Sequence, residues 1–312
     1  MSKFLAVVGP TASGKSSLSL EIASRLGQLG MPCEIVNADS MQFYKGMDIG
    51  TAKLPQSQRR NIAHHLLDWL EVVDESTAAQ YQAKARESIE EIQSRGALPI
   101  LVGGSMLYLA AVLNTFEFPA RDSELRAQLE SDLEAQGSEV LHARLEQLDE
   151  GAASRVDPKN GRRVVRALEI VIATGKPFAA ALPEKFDSWQ RSLQIGLNSD
   201  RADLVERIAS RSSQMFEAGL VEEVENLIPH GIREGKTSSR AIGYAQALNV
   251  MDGRATVAQA VEETSALSAR YARRQMSWFR RDTRINWFDY QDENHVERAF
   301  QLALSFADTD SQ

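Results

Sequence analysis

Cysteine is nearly absent: Cys33 is the only one in 312 residues. A lone thiol excludes an intrachain disulfide and a cysteine-based zinc centre. Long apolar runs are absent too, and none approaches the ~20 residues needed to cross a bilayer. No basic-then-apolar leader precedes the first apolar run, KFLAVV, so the expectation is a cytoplasmic protein. Positive charge is in deficit, with 35 Lys and Arg against 43 Asp and Glu and a net charge of −8. That balance excludes a uniformly basic coat for nucleic acid but allows a local basic surface. What remains, 43% hydrophobic and 25% charged, is ordinary for a globular chain, and the length holds one large or two modest domains.

Against these absences stands one dense motif. KFLAVV runs into Gly9-Pro10-Thr11-Ala12-Ser13-Gly14-Lys15-Ser16, and Leu18, Ile22, Leu26 and Leu29 follow at helical spacing. This is a phosphate-binding loop between a buried strand and a helix. Its glycines let the backbone fold tightly so that N–H groups point at an oxyanion, and the helix N-terminus adds partial positive charge. Lys15 reaches the terminal phosphate, and the Ser16 hydroxyl is a magnesium ligand. The motif predicts polyphosphate binding without saying which polyphosphate.

Strand and helix alternate through the first third: EIVNAD at 34–39, a polar loop from Ser40 to about Gln58, an apolar run from His64 to Val73, a helix over about Thr77 to Ser94, and LPILV at 98–102 before Gly103-Gly104. Such alternation predicts a doubly wound parallel sheet. From Asp122 to Thr174 the pattern is amphipathic helix only, in LRAQLESDLEAQ, VLHARLEQL and RRVVRALEIVIA. SLQIGL at 192–197 returns to strand, long helices follow to about Arg281, and INWFDY is a last strand. The expected fold is α/β, a P-loop NTPase-like parallel sheet core (1–117 and 191–312) carrying an inserted all-helical domain (118–190).

In parallel α/β folds ligands sit at the carboxyl ends of the strands. Three ends therefore converge: the phosphate loop, Asp39-Ser40, and Gly103-Gly104-Ser105. Asp39 has three readings here: a magnesium partner, a proton acceptor opposite the phosphate, or a turn cap. Strand PILV ends in glycine where a hydrolysing NTPase often carries an acid, which speaks against ATP hydrolysis. Ser105 is placed to cap the next helix. His64 and His65 are adjacent, so they point apart and are read as structural. Two arginine clusters stand out, Lys159, Arg162, Arg163 and Arg166, and six arginines between Arg270 and Arg284, of which Arg273, Arg280 and Arg284 are expected on one helical face.

Taken in order, GPTASGKS (9–16), NADSMQFYKGMDIGTAK (37–53), HHLLD (64–68), LVGGSMLY (101–108), RRVVRALE (162–169), SSRAIGY (238–244) and ARRQMSWFRR (272–281) resemble the bacterial-type tRNA dimethylallyltransferases, also called tRNA isopentenyltransferases. The resemblance covers nearly the whole chain, and the segment 37–53 is its most specific part. It implies transfer of a dimethylallyl group from its diphosphate to the exocyclic amine of the adenosine immediately 3′ of the anticodon, in tRNAs that read codons beginning with U, with Mg2+ as cofactor. It also implies roles. Thr11 lies near the scissile oxygen, the backbone of Gly9, Pro10, Ala12, Ser13 and Gly14 with Lys15 and Ser16 holds the diphosphate, Arg240 contacts it, and Asp39 is the general base. Asp39, Ser40, Met41, Gln42, Ser105, Arg126, Arg162, Arg163, Val164, Val165, Arg166, Arg273 and Arg280 are the implied tRNA contacts. Ser105 and Ser16 stand where the family often has Thr, and Arg273 where Lys is common; hydroxyls and charge are kept. A monomer is the default expectation. Competing readings are an isopentenyltransferase acting on free adenine nucleotide, which needs no inserted RNA-reading domain, and a P-loop small-molecule kinase, which needs a nucleotide lid and base site that the sequence does not display.

Overall fold

The computed structural model describes residues 2–115, 118, 122–178 and 187–309. The chain divides into two compact units, Met1–Thr115 with Ser188–Gln312, and Phe116–Asp187. The expected boundaries, 117/118 and 190/191, fall a few residues further along; residues 116–117, 119–121 and 179–186 lie outside the described residues.

The first unit is built on a six-stranded sheet. Its strands are β1 (Lys3–Val8), β2 (Cys33–Asn37), β3 (His64–His65), β4 (Leu98–Gly103), β5 (Arg191–Asn198) and β6 (Ile285–Asp289), in the order β3-β2-β4-β1-β5-β6. Every pairing is parallel. Val8 is level with both Gly103 and Gly196, so the loops after β1, β4 and β5 leave one edge of the sheet together. Side chains alternate across β1 as the strand period requires. Phe4, Ala6 and Val8 enter one core and Leu5 and Val7 the other, all at most 1% exposed.

Helices α1 (Lys15–Gln28), α2 (Ala78–Ser94) and α3 (Met106–Leu113) connect the early strands. Thr77 starts α2 with a capping box closed by Gln80. The second unit is α4 (Ser123–Gln136), α5 (Ser138–Leu148), the single turn α6 (Glu150–Ala153) and α7 (Gly161–Thr174). The first unit resumes with α8 (Arg201–Glu217), α9 (Leu220–Leu227), α10 (Tyr244–Met251), α11 (Val257–Phe279) and α12 (His295–Asp308). Ile22 and Leu26 of α1 share a core with Ala299 and Ala303 of α12 on one face of the sheet. Tyr81, Leu109, Leu220, Tyr244 and Phe279 fill the core on the other.

Several expectations change. Strand β2 stops at Asn37 because Asp39 turns the chain, accepting the Met41 N–H at 3.2 Å to cap a 3-10 turn over Ser40–Phe43. Of the run His64–Val73 only His64–His65 joins the sheet. Helix α11 ends at Phe279, so Arg284 lies beyond it, folded onto Asp282 and Asn114.

Val164 and Val165 are corrected as RNA contacts. They are fully buried with Leu129, Leu141, Leu145 and Leu168 in the core of the helical unit, where the helical period sends them. Arg126 and Arg166 are largely enclosed as well. Each has a guanidinium nitrogen 3.0 Å from the Glu169 carboxylate, which has no exposed surface and also accepts the Asp122 N–H. Arg162 and Arg163 are exposed.

Candidate active site

The phosphate loop is shaped by glycines that have no substitute. A Cβ on Gly9 would sit 2.9 Å from Ser13 Oγ and 3.0 Å from Leu197 O. Gly14 takes φ +90° against the Tyr290 ring and hands the chain to α1 at Lys15. The Lys15 amine donates to Pro10 O at 3.3 Å. Burial lowers its pKa to about 8; Asp39 opposes that shift and Arg211 adds to it.

One cavity is lined by Thr11, Lys15, Ser16, Asn37, Asp39, Gln42, Thr51, Gly103 and Arg211. The structure therefore brings the expected diphosphate residues and Asp39 to one place. Asp39 is held on both sides of its backbone: its N–H donates to Asn37 Oδ1 at 3.0 Å, and Asn37 Nδ2 donates to Asp39 O at 3.1 Å. It caps its turn and faces the cavity at once. His64 lines the same cavity, with burial lowering its pKa and Nδ1 2.8 Å from Ile62 O. His65 faces away, 2.6 Å from Glu34.

Arg240 is corrected. It is exposed at the end of a 3-10 turn, Ser238–Arg240, and does not line the cavity. The arginine at the phosphate loop is Arg211 of α8, 3.5 Å from Thr11 Oγ1 and 3.3 Å from Thr51 O. Burial lowers its pKa, and Asp39 acts to raise it. The available signal was a cation beside the apolar positions Leu204 and Ile208 of an amphipathic helix, the side that normally faces the core.

The loop of residues 40–53 is pinned from three directions. Gln42 Nε2 donates to Thr51 O at 3.1 Å. The Lys53 amine, 3% exposed, is shared by Tyr44 O at 2.8 Å, Asp48 at 2.6 Å and Asp68. Glu223 of α9 accepts the N–H groups of Asp48 at 3.2 Å and Ile49 at 2.7 Å and the Tyr244 hydroxyl at 2.6 Å. Sequence reasoning singled out neither Glu223, whose backbone partners lie some 175 residues away, nor Lys53, whose partners are local but lie in irregular loop with no period to read.

The loop after β4 meets this one closely. A Cβ on Gly103 would lie 2.3 Å from the Ala38 carbonyl, so only glycine lets the two loops touch. Ser105 does not cap α3 with its side chain. Its hydroxyl instead accepts the Ser40 N–H at 3.0 Å and donates to Ser40 Oγ at 3.1 Å. Behind it stands α11. Tyr271 hydrogen-bonds Ser105 and Gln275, and burial pushes its hydroxyl up to about 12. Gln275, 2% exposed, bonds both Thr11 and Gly104. Arg273, Arg274, Arg280 and Arg281 are exposed on and just after the same helix.

Among the described residues no cluster of three or more His, Cys, Asp or Glu is arranged to hold a metal ion, and no helix is long and apolar enough to cross a membrane. The Ser16 hydroxyl and the Asp39 carboxylate are among the side-chain oxygens that line the cavity.

A family model described as IPP transferase matches residues 42–282. A tRNA dimethylallyltransferase of Thermobifida fusca is 51% identical over 308 residues, which are 99% of this chain and 96% of that protein. Among solved structures, the tRNA isopentenylpyrophosphate transferase of Bacillus halodurans is 36% identical with a TM-score of 0.72, covering 100% of this chain and 98% of that one. A eukaryotic dimethylallyltransferase acting on tRNA superposes with a TM-score of 0.80 at 26% identity, covering 98% of this chain and 79% of that one.

Proposed function

The chain belongs to the IPP transferase family, and from that premise we propose that it transfers the dimethylallyl group of dimethylallyl diphosphate to a tRNA adenosine. The acceptor is the exocyclic amine of the adenosine immediately 3′ of the anticodon, in tRNAs that read codons beginning with U. The observation that carries this reading is one cavity with a phosphate loop on one wall and Asp39 on another. Strand β4 ends in glycine there, without the acid that a hydrolysing NTPase often carries.

The amine nitrogen attacks the allylic carbon, the carbon–oxygen bond breaks, and its electron pair leaves on the diphosphate. An exocyclic adenine amine is a weak nucleophile, so position and proton removal each matter by orders of magnitude. Asp39 takes the proton the nitrogen sheds. The amides of residues 12–16, Lys15 and Arg211 stabilise charge developing on the leaving group, and fixed dipoles of this kind are usually the largest catalytic contribution. Thr11 sits at the bridging oxygen, with Arg211 against its hydroxyl. Arg240, exposed, is assigned to RNA and not to the diphosphate.

Hard oxygen donors suit Mg2+, and Ser16 with the diphosphate oxygens would hold it. When bound it neutralises charge on the departing diphosphate.

The adenine reaches the cavity only after leaving its stack, at a cost of a few kcal/mol. Asp39, Ser40, Met41, Gln42 and Ser105 receive it. Exposed Arg162, Arg163, Arg273 and Arg280 meet backbone phosphates, so binding weakens with salt.

The test is transfer of label from dimethylallyl diphosphate, with magnesium, to unmodified tRNA in competition with AMP. Label in tRNA alone, lost when the adenine 3′ of the anticodon is replaced by guanine, is the expected result. Label in AMP would make the enzyme a free-nucleotide prenyltransferase, and label in neither would return the site to the kinase reading.

A further inference from the structure

We propose that Gln275 is a positioning residue whose carboxamide ties the leaving-group loop to the acceptor loop and thereby sets the approach of nucleophile to allylic carbon. The inference rests on the transferase reading above. Thr11 and Gly104 lie in different loops and are joined by no direct bond of their own. Gln275 Oε1 accepts the Thr11 N–H at 2.9 Å, and Gln275 Nε2 donates to Gly104 O at 2.8 Å. Both ends of one amide are thus committed, inside a side chain that is 2% exposed. The orientation of the amide is fixed by its partners, since an N–H can only donate and a carbonyl can only accept.

The tie extends past its two direct partners. Thr11 carries the hydroxyl that Arg211 approaches. Gly104 is followed by Ser105, whose hydroxyl holds the Ser40 N–H, and Ser40 is followed on its other side by Asp39. A single carboxamide therefore stands between the group that holds the departing oxygen and the group that takes the proton. It also withdraws the Thr11 N–H from the anion-binding set, leaving the amides of 12–16 for the diphosphate. A displacement of about 1 Å between reacting centres can cost 100-fold in rate.

Two further features fit a strut and not a packing residue. Gly104 has no room for a side chain, because a Cβ there would lie 2.4 Å from Gln275 Nε2. Tyr271, one turn earlier on α11, bonds both Ser105 and Gln275, so the amide is itself braced. Only glutamine offers donor and acceptor at this reach; methionine has the same length and neither function.

The experiment is steady-state kinetics of Gln275→Met with tRNA and dimethylallyl diphosphate, with tRNA binding and thermal melting measured on the same preparations. A turnover about 100-fold lower is expected, with both KM values and the tRNA Kd within about 3-fold of the parent. Unchanged turnover, or a loss confined to the tRNA KM, would overturn the role; the second result would make Gln275 an RNA contact. Should the methionine variant not fold, Gly104→Ala tests the same tie from its other end. Its turnover penalty is expected to shrink at least tenfold in a Gln275→Ala background, where the amide it collides with is gone and only the 3.1 Å approach to Gly9 O is left; additive penalties would refute the coupling. Failure of the transferase reading is distinguishable, because then the parent protein itself transfers nothing to tRNA.

Discussion

The sheet unit and the helical unit both enclose arginine, and for opposite ends. In the helical unit Arg126 and Arg166 meet Glu169, a carboxylate with no exposed surface, Arg126 also pairs with Glu130, and the two positive and two negative charges balance within the fold. In the sheet unit Arg211 hydrogen-bonds a threonine hydroxyl and a carbonyl, and it shares the field of one carboxylate, Asp39, with a second enclosed cation, Lys15. Enclosing a charge is costly unless it is paired. A balanced arginine is therefore architecture, whereas an enclosed arginine and an enclosed lysine set against the one carboxylate of Asp39 keep positive charge in excess for an arriving anion. The comparison separates two kinds of positive charge that a residue count treats alike.

The largest effect that sharpens this contrast is expected at Arg211. Arg211→Ala should lower turnover by about 100- to 1,000-fold, roughly 3–4 kcal/mol of lost leaving-group stabilisation, with the melting temperature kept or raised because a charge that burial disfavours is removed. Arg240→Ala should instead act on the tRNA KM. Equal turnover losses in the two variants, read by steady-state kinetics, would break the distinction.

Next in size is the helical unit. Glu169→Gln removes the buried carboxylate that two guanidinium groups share, Arg126 keeping Glu130, and the expected loss is about 3 kcal/mol of stability in urea or thermal unfolding. A loss below ~1 kcal/mol would mean that the two arginines find water as readily as they find Glu169.

A smaller effect comes from pH. The ordinary lysine value is 10.5, and Lys15 sits at about 8 because burial disfavours its charge. Its ammonium is thus present below about pH 8 and lost above it, and an arriving diphosphate favours the protonated form. Diphosphate affinity is expected to be flat below pH 8 and to fall by up to tenfold per pH unit above it. Calorimetry in buffers of different ionisation enthalpy should show proton uptake on binding near pH 8.5; no uptake would place the lysine at its ordinary value.

Smallest is the exposed face of α11. Arg273→Ala and Arg280→Ala should leave the melting temperature unchanged and each reduce the salt slope of tRNA binding by about one. A change in stability without a change in slope would move these arginines into the architectural class.

The sequence discloses what is local. The phosphate loop, the strand–helix alternation and the purely helical middle are each written in spacing that a short window contains. Asp39 is legible because a strand end beside a phosphate loop is a functional address in a parallel sheet. Arg211 is not, since nothing near it in the chain shows that α8 crosses behind Thr11. Gln275 hides among arginines as an uncharged residue in a charged helix. Glu223 is similarly silent, because its partners are backbone N–H groups some 175 residues away. Val164 and Val165 mislead in the other direction: they sit between arginines in the chain, but successive helical positions point about 100° apart, so charged neighbours do not make a residue exposed.

The place of β1 in the sheet bears on how the protein is made. Strand β1 ends as the neighbour of both β4 and β5, yet β5 is encoded only after all of Phe116–Asp187. While that stretch is translated, roughly 4–14 s at 5–20 residues per second, the strand that feeds the phosphate loop has no partner along one side. It waits as an apolar edge with unpaired main-chain groups, the form of β structure most prone to join another chain. The strand at the heart of the finished enzyme is the exposed margin of the nascent one, and ribosome-associated chaperones have their clearest reason to attend this protein during that interval.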